Sequence, residues 1–127
     1  MEALIDGYNV AGRLGFFDLV HKGELTLEEA REKVLEEVLA NPALGGAQGI
    51  KVKIIYDSRG MAFRKLRRRK KQGIKILFVR NTDIFLQGIA RKGENVVITE
   101  DAPLTEKLRE KGVQVRQPKF FFGNHQK

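Results

Sequence analysis

Short apolar runs recur along this chain, and each stops at or just before an acidic residue. The first is Ala3-Leu4-Ile5-Asp6-Gly7-Tyr8-Asn9-Val10. The pattern returns as Lys53-Ile54-Ile55-Tyr56-Asp57, as Ile76-Leu77-Phe78-Val79-Arg80-Asn81-Thr82-Asp83, and as Val96-Val97-Ile98-Thr99-Glu100-Asp101. Short apolar runs without polar alternation mark strands covered on both faces. They predict strands at about Ala3 to Asp6, Ile50 to Tyr56, Ile74 to Val79, Val96 to Thr99 and, shorter, Val113 to Val115.

Between these runs the period becomes helical. Thr26 and Glu29 have the spacing of a capping box. They open a helix with the stripe Leu27, Ala30, Val34, Val38 and Leu39, ending near Asn41-Pro42. Thr82 is the expected N-cap of a helix to about Lys92, with Ile84, Phe85, Ile89 and Ala90 inward and Gly93 at its C-terminal cap. Pro103 and Gly112 bracket a further helix. Met61 to Gln72 reads as a helix with few apolar anchors, and Val10 to Val20 as a weakly periodic stretch holding a short one. Gly7 is expected to turn the backbone sharply after the first strand. Strands alternating with helices predict an α/β domain on a mostly parallel sheet. No linker or repeat interrupts the alternation, so residues 1–127 are expected to form a single domain.

Composition narrows the partners more than the fold. A hydrophobic fraction of 42% is enough for a core and argues against disorder. Cysteine is absent, which excludes a disulfide framework and thiolate metal sites. No apolar run approaches the roughly 18 residues of a membrane helix, and Met1-Glu2 is unlike the start of a signal peptide. A cytoplasmic protein without a membrane partner is therefore expected. The net charge is +8, which points to phosphate polymers or anionic surfaces. The charge is concentrated: Arg64, Lys65, Arg67, Arg68, Arg69, Lys70 and Lys71 are interrupted only by Leu66. An ordinary charge run is a solvated helix face. This one is dense enough to repel itself unless anions screen it, so with Arg59 it is assigned to nucleic-acid phosphates.

All aspartates but Asp18 stand at the predicted strand ends: Asp6, Asp57, Asp83 and Asp101. In an open parallel sheet the carboxyl ends of the strands share one edge, where ligands bind. Taken singly, an aspartate after a strand is an ordinary helix cap. Several at one edge must protonate or share a cation. Oxygen donors without cysteine and with little histidine select hard ions, Mg²⁺ or Mn²⁺. Asn9 adds a neutral oxygen. Asp57 is the weakest member, and Glu100 reads either as a further acid or as the solvent-facing neighbour of Asp101. His21 and His125 are isolated and read as surface residues, so no nucleophile–histidine pair competes. Of Phe120, Phe121 and Phe122, one or two are expected to pack as core, while stacking on unpaired bases is the alternative.

Leu4-Ile5-Asp6-Gly7-Tyr8-Asn9-Val10 resembles the opening motif of the PIN-like nuclease superfamily, and most closely its NYN (YacP-like) ribonuclease branch. The resemblance continues through Tyr56-Asp57, Thr82-Asp83, Val97-Ile98-Thr99-Glu100-Asp101 and Gly112-Val113-Gln114-Val115. It implies a Rossmann-like, three-layer sandwich with strand order 3-2-1-4-5 and a divalent-metal endoribonuclease site. Asp6, Asp83 and Asp101 would be its catalytic and metal-binding acids, with Asn9, Asp57, Thr99 and Glu100 as supporting polar groups. The implied cofactor is Mg²⁺ or Mn²⁺, and the implied partner is RNA: mRNA, tRNA or rRNA, on or off the ribosome. Two departures stand out. Glu100 occupies a place where a small hydroxyl residue is usual, and the stretch around Asp83 holds fewer acids. A catalytically silent module that binds RNA or ribosomes is therefore an alternative. A phosphorelay receiver using Asp83, Thr99 and Lys119 is a more distant one, because that fold wants adjacent acids near its first strand.

Overall fold

The apolar runs pair side by side as parallel strands. The computed structural model describes residues 1–44, 50–58, 69–71 and 73–122. In chain order these residues form β1 (Glu2–Asp6), α1 (Gly7–Arg13), α2 (Phe16–His21), α3 (Leu27–Ala40), β2 (Lys51–Asp57) and β3 (Arg69–Lys71). There follow β4 (Ile74–Val79), α4 (Thr82–Ile89), β5 (Asn95–Ile98), α5 (Ala102–Glu110), β6 (Gln114–Arg116) and α6 (Pro118–Phe122). The sheet order is β3-β4-β2-β1-β5-β6. All pairings are parallel except that of β3 with β4. The five parallel strands, counted alone, run 3-2-1-4-5, as expected. This order places β1 between β2 and β5, whereas a receiver domain has the order 2-1-3-4-5; the topology removes the receiver alternative.

β1, β2, β4 and β5 each feed both faces of the sheet. Ala3 and Ile5 join Val34, Val38, Ile54 and Tyr56 in one cluster, on the side of α1 and α3. Leu4, one residue out of phase, joins Ile55, Leu86, Val97, Leu104 and Leu108 in the other, beneath α4 and α5. Two apolar faces covered by helices make three layers, and they explain why the strand sequences lack alternation.

The helix ends follow local chemistry. Glu29 N–H donates to Thr26 Oγ1 (3.0 Å), and Thr26 N–H donates to Glu29 Oε1 (2.8 Å), closing the capping box. Leu35 is buried in addition to the expected stripe, while Leu27 is 38% exposed. The N-cap of α4 is Asn81, whose Oδ1 accepts from Ile84 N–H (3.1 Å), and not Thr82, which is buried as the first helical residue. The stretch from Val10 to Val20 holds two helices where one was expected, divided at Gly15 with φ +82°. Gly7 is the first residue of α1 directly after β1, so the chain passes from strand to helix there with no loop between.

The largest difference lies in the basic run. Its final residues, Arg69, Lys70 and Lys71, form an antiparallel edge strand paired to Ile76, Lys75 and Ile74, not the end of a helix. Two residues separate Lys71 from Ile74, and one of them, Gly73, has φ +85°. That is the hairpin signature. A cationic edge strand also discourages further strand addition. Arg59, Arg64, Lys65, Arg67 and Arg68 lie outside the described residues. Among the described residues, no helix is long and apolar enough to cross a membrane.

Candidate functional site

The strand order reverses beside β1: β2 and β4 lie to one side, β5 and β6 to the other. A crevice opens at such a switch point, beyond the carboxyl ends of the strands. Asp6 ends β1 there. Ile5 pairs with Ile98, so the residues just past them, Asp6 and Thr99, face each other across the switch. Thr99 Oγ1 donates to Asp6 Oδ2 at 2.9 Å and accepts from Asp101 N–H at 3.1 Å. Thr99 is wholly buried and Asp6 is 9% exposed.

Asp101 sits at the N-cap of α5, and its Oδ1 accepts from Leu104 N–H at 2.9 Å. For this residue the ordinary capping role is real. Asp6 also occupies an N-cap position, before α1, but its side chain closes no capping hydrogen bond. The backbone N–H of Asn9 nevertheless lies close enough to its carboxylate to lower its pKa. Asn9 Oδ1 accepts from Glu100 N–H (2.5 Å), a second tie across the switch point. Glu100 is exposed and pairs with Arg13, with Nε 3.4 Å from Oε1 but without hydrogen-bond alignment.

The electrostatics single out Asp6. Burial pushes its carboxyl up to about 6 from 3.8, and the charges of Asp83 and Asp101 push the same way. The Thr99 hydroxyl and the backbone N–H of Asn9 oppose them. Asp83, in the first turn of α4, is therefore within electrostatic reach of Asp6 from beyond β4. Asp57 ends β2 half-buried, and its charge is not among those acting on Asp6. Asp6, Asp83 and Asp101 thus form one electrostatic group, with Thr99 and Asn9 inside it and Glu100 at its rim. Among the described residues no three acids or histidines stand close enough together to hold a metal ion. The donors fit a hard cation in kind, being oxygen only, but are not gathered into a ligating cluster.

Two nearby cations gave no distinguishing signal in the sequence. Arg13 is the partner of Glu100. Arg31 lies on the acidic helix α3, yet its Nη1 donates to Tyr8 Oη (3.0 Å) and its guanidinium lies 5.3 Å from the Phe78 ring centre. His21 is exposed, as expected.

Thr99→Val tests the internal wiring. It removes the donor to Asp6 and the acceptor of the Asp101 amide, so a loss of about 1–3 kcal/mol is expected. The loss should be larger at pH 8 than at pH 5, because an ionised Asp6 needs the hydroxyl more. Urea midpoints at the two pH values check this, and equal losses would contradict it.

A family model described as the YacP-like NYN domain matches residues 3–122. Among solved structures, Rae1 (YacP) from Bacillus subtilis has a TM-score of 0.63 and 16% identity, over 94% of this chain and 70% of that chain. A point mutant of the same protein has a TM-score of 0.65 and 16% identity, over 93% and 70%. At that identity the structural likeness is one of fold. No curated protein is significantly similar.

Proposed function

Because the chain belongs to the YacP-like NYN family, within the PIN-like nuclease superfamily, we propose that it is a divalent-metal-dependent endoribonuclease. The observation that carries this reading is Asp6, a carboxyl group at the switch point of the sheet, buried beside two other acids. A buried carboxylate repelled by its neighbours is unfavourable unless it takes up a proton or a cation. Asp6, Asp83 and Asp101 would hold the cation, Mg²⁺ or Mn²⁺. When bound, an ion of this class supplies a water of lowered pKa and neutralises charge building on the phosphate.

The chain's own residues do the rest. Thr99 fixes the rotamer of Asp6 by donating to one of its oxygens. Asn9 and Thr99 bind the backbone at Glu100 and Asp101 to the end of β1, so the acids from β1 and α5 keep their spacing. The basic run from Arg64 to Lys71, with Arg59, supplies phosphate contacts that hold RNA without reading its sequence. RNA, in the cytoplasm and on or off the ribosome, is the proposed partner.

A second reading is favoured by a specific observation. The acids are not gathered into a ligating set among the described residues, and one oxygen of Asp101 is occupied by the helix it caps. A module that binds RNA without cleaving it would look the same. Incubation of a single-stranded RNA panel with Mn²⁺ separates the two. Endonucleolytic products that vanish with EDTA and in Asp6→Asn are expected. Retained RNA binding with no product would support the silent module, and products that survive Asp6→Asn would place the chemistry elsewhere.

A further inference from the structure

The three phenylalanines near the end of α6 have separate fates. Phe122 is 7% exposed in the core, and Phe121 packs against that core half-buried. Phe120 is 68% exposed, although it is the same apolar side chain one residue earlier. Its ring meets Phe121 edge to face, with centroids 5.1 Å apart. The Arg116 guanidinium lies 5.6 Å from the Phe120 ring centre. Arg116 is the last residue of β6, and its backbone oxygen accepts from Thr99 N–H (3.1 Å), beside Asp6.

We propose that Phe120 and Arg116 form a stacking platform for an unpaired RNA base, adjoining the acidic crevice; this rests on the reading of RNA as the substrate. Register sets the spacing. Arg116 pairs with Ile98, and Ile98 with Ile5, so the strand end carrying Arg116 lies two strand spacings from that carrying Asp6. Two spacings are about 10 Å, the scale of one or two nucleotides along a single strand. The ring offers a π-face with a cation already against it, and the chain's net charge of +8 favours a polyanion. Stacking of this kind accepts any base and requires that the base be unpaired. The platform would therefore select single-stranded RNA without reading its sequence.

The test is binding in EDTA, so that cleavage plays no part, of a short single-stranded RNA and of the same sugar–phosphate backbone without bases. Wild type is expected to prefer the base-bearing strand. Phe120→Ala should weaken binding of that strand about 5- to 100-fold while changing the base-free strand less than about twofold, and the variant should fold as wild type because the ring is exposed. The chain has no tryptophan, so Phe120→Trp adds a single tryptophan at the platform, excited selectively above the tyrosine absorption. It should retain affinity, and its emission should be quenched by the base-bearing strand alone. Equal loss on both strands in Phe120→Ala, or no loss on either, would overturn the platform while leaving the nuclease reading intact. A wild type that binds neither strand would overturn both.

Discussion

Asp6→Asn is expected to abolish RNA cleavage and, at neutral pH, to make the protein more stable. The loss of activity should be at least about 100-fold, since the variant removes the negative charge around which the proposed cation site is organised. The gain in stability follows from linkage. Asp6 titrates at about 6 in the folded chain against 3.8 for an unperturbed aspartate, so between these values the folded state holds more protons than the unfolded one. The contribution of Asp6 to stability is then most favourable below about pH 4 and falls as pH rises to about 6, after which its penalty is constant. Its upper size is about 3 kcal/mol. Asparagine keeps an oxygen for the Thr99 hydroxyl, carries no charge to desolvate, and does not repel Asp83 or Asp101. The advantage of Asp6→Asn over wild type should therefore be near zero at pH 4 and reach a plateau above pH 6. Thermal melts across that range, without divalent ions, measure it. A difference independent of pH, or a variant less stable than wild type at pH 7, would contradict the burial and crowding assigned to Asp6. A group that costs stability where it serves chemistry is the usual trade at functional sites.

Gly7→Ala is the second large effect, and here two rules oppose each other. Gly7 is the first residue of α1, and alanine is the better helix former by about 1 kcal/mol. Packing points the other way. A Cβ at Gly7 would lie 2.3 Å from Tyr56 Cε1 and 2.6 Å from its Cδ1. Tyr56 is 1% exposed, its ring held by Tyr8 at 4.8 Å and Phe78 at 5.7 Å between centroids, so it has little room to withdraw. Overpacking of this sort costs about 1–3 kcal/mol or more, and a contact this short belongs at the upper end. A net loss of about 2 kcal/mol or more is expected in urea unfolding. The same substitution in a Tyr56→Leu background should cost much less, since the obstructing ring is gone. An undiminished cost there would show that the clash is not the cause.

The parts of the fold that the sequence disclosed are those where one physical signal dominated. Apolar runs located β1, β2, β4 and β5, because burial on both faces leaves few polar positions in their interiors; the short β6 shows only Val115, with Val113 just before it. Thr26 and Glu29 located the start of α3 because a capping box is a strictly local device. The edge strand β3 was hidden by its charge: Arg69, Lys70 and Lys71 have no apolar period to read, and their pairing depends on Gly73 and on β4. Thr82 and Asn81 are both good capping residues in sequence; the Ile84 N–H hydrogen bond to Asn81 Oδ1 places the cap on Asn81, with Thr82 buried as the first helical residue. The acids of the candidate site were visible as strand ends. The wiring between them was not, since the Thr99–Asp6 hydrogen bond joins residues 93 apart. It exists only because β5 lies beside β1. The ring of Tyr56 beneath Gly7 was hidden for the same reason: contacts made across neighbouring strands leave no mark at short range.

Diffraction at a manganese-sensitive wavelength from crystals soaked in Mn²⁺ tests most directly the proposal that Asp6, Asp83 and Asp101 share one hard cation. An anomalous peak within ligand distance of Asp6, Asp83 and Asp101, absent from Asp6→Asn crystals soaked alike, is the predicted result. A peak coordinated by none of these acids, in crystals of protein that cleaves RNA, would contradict it.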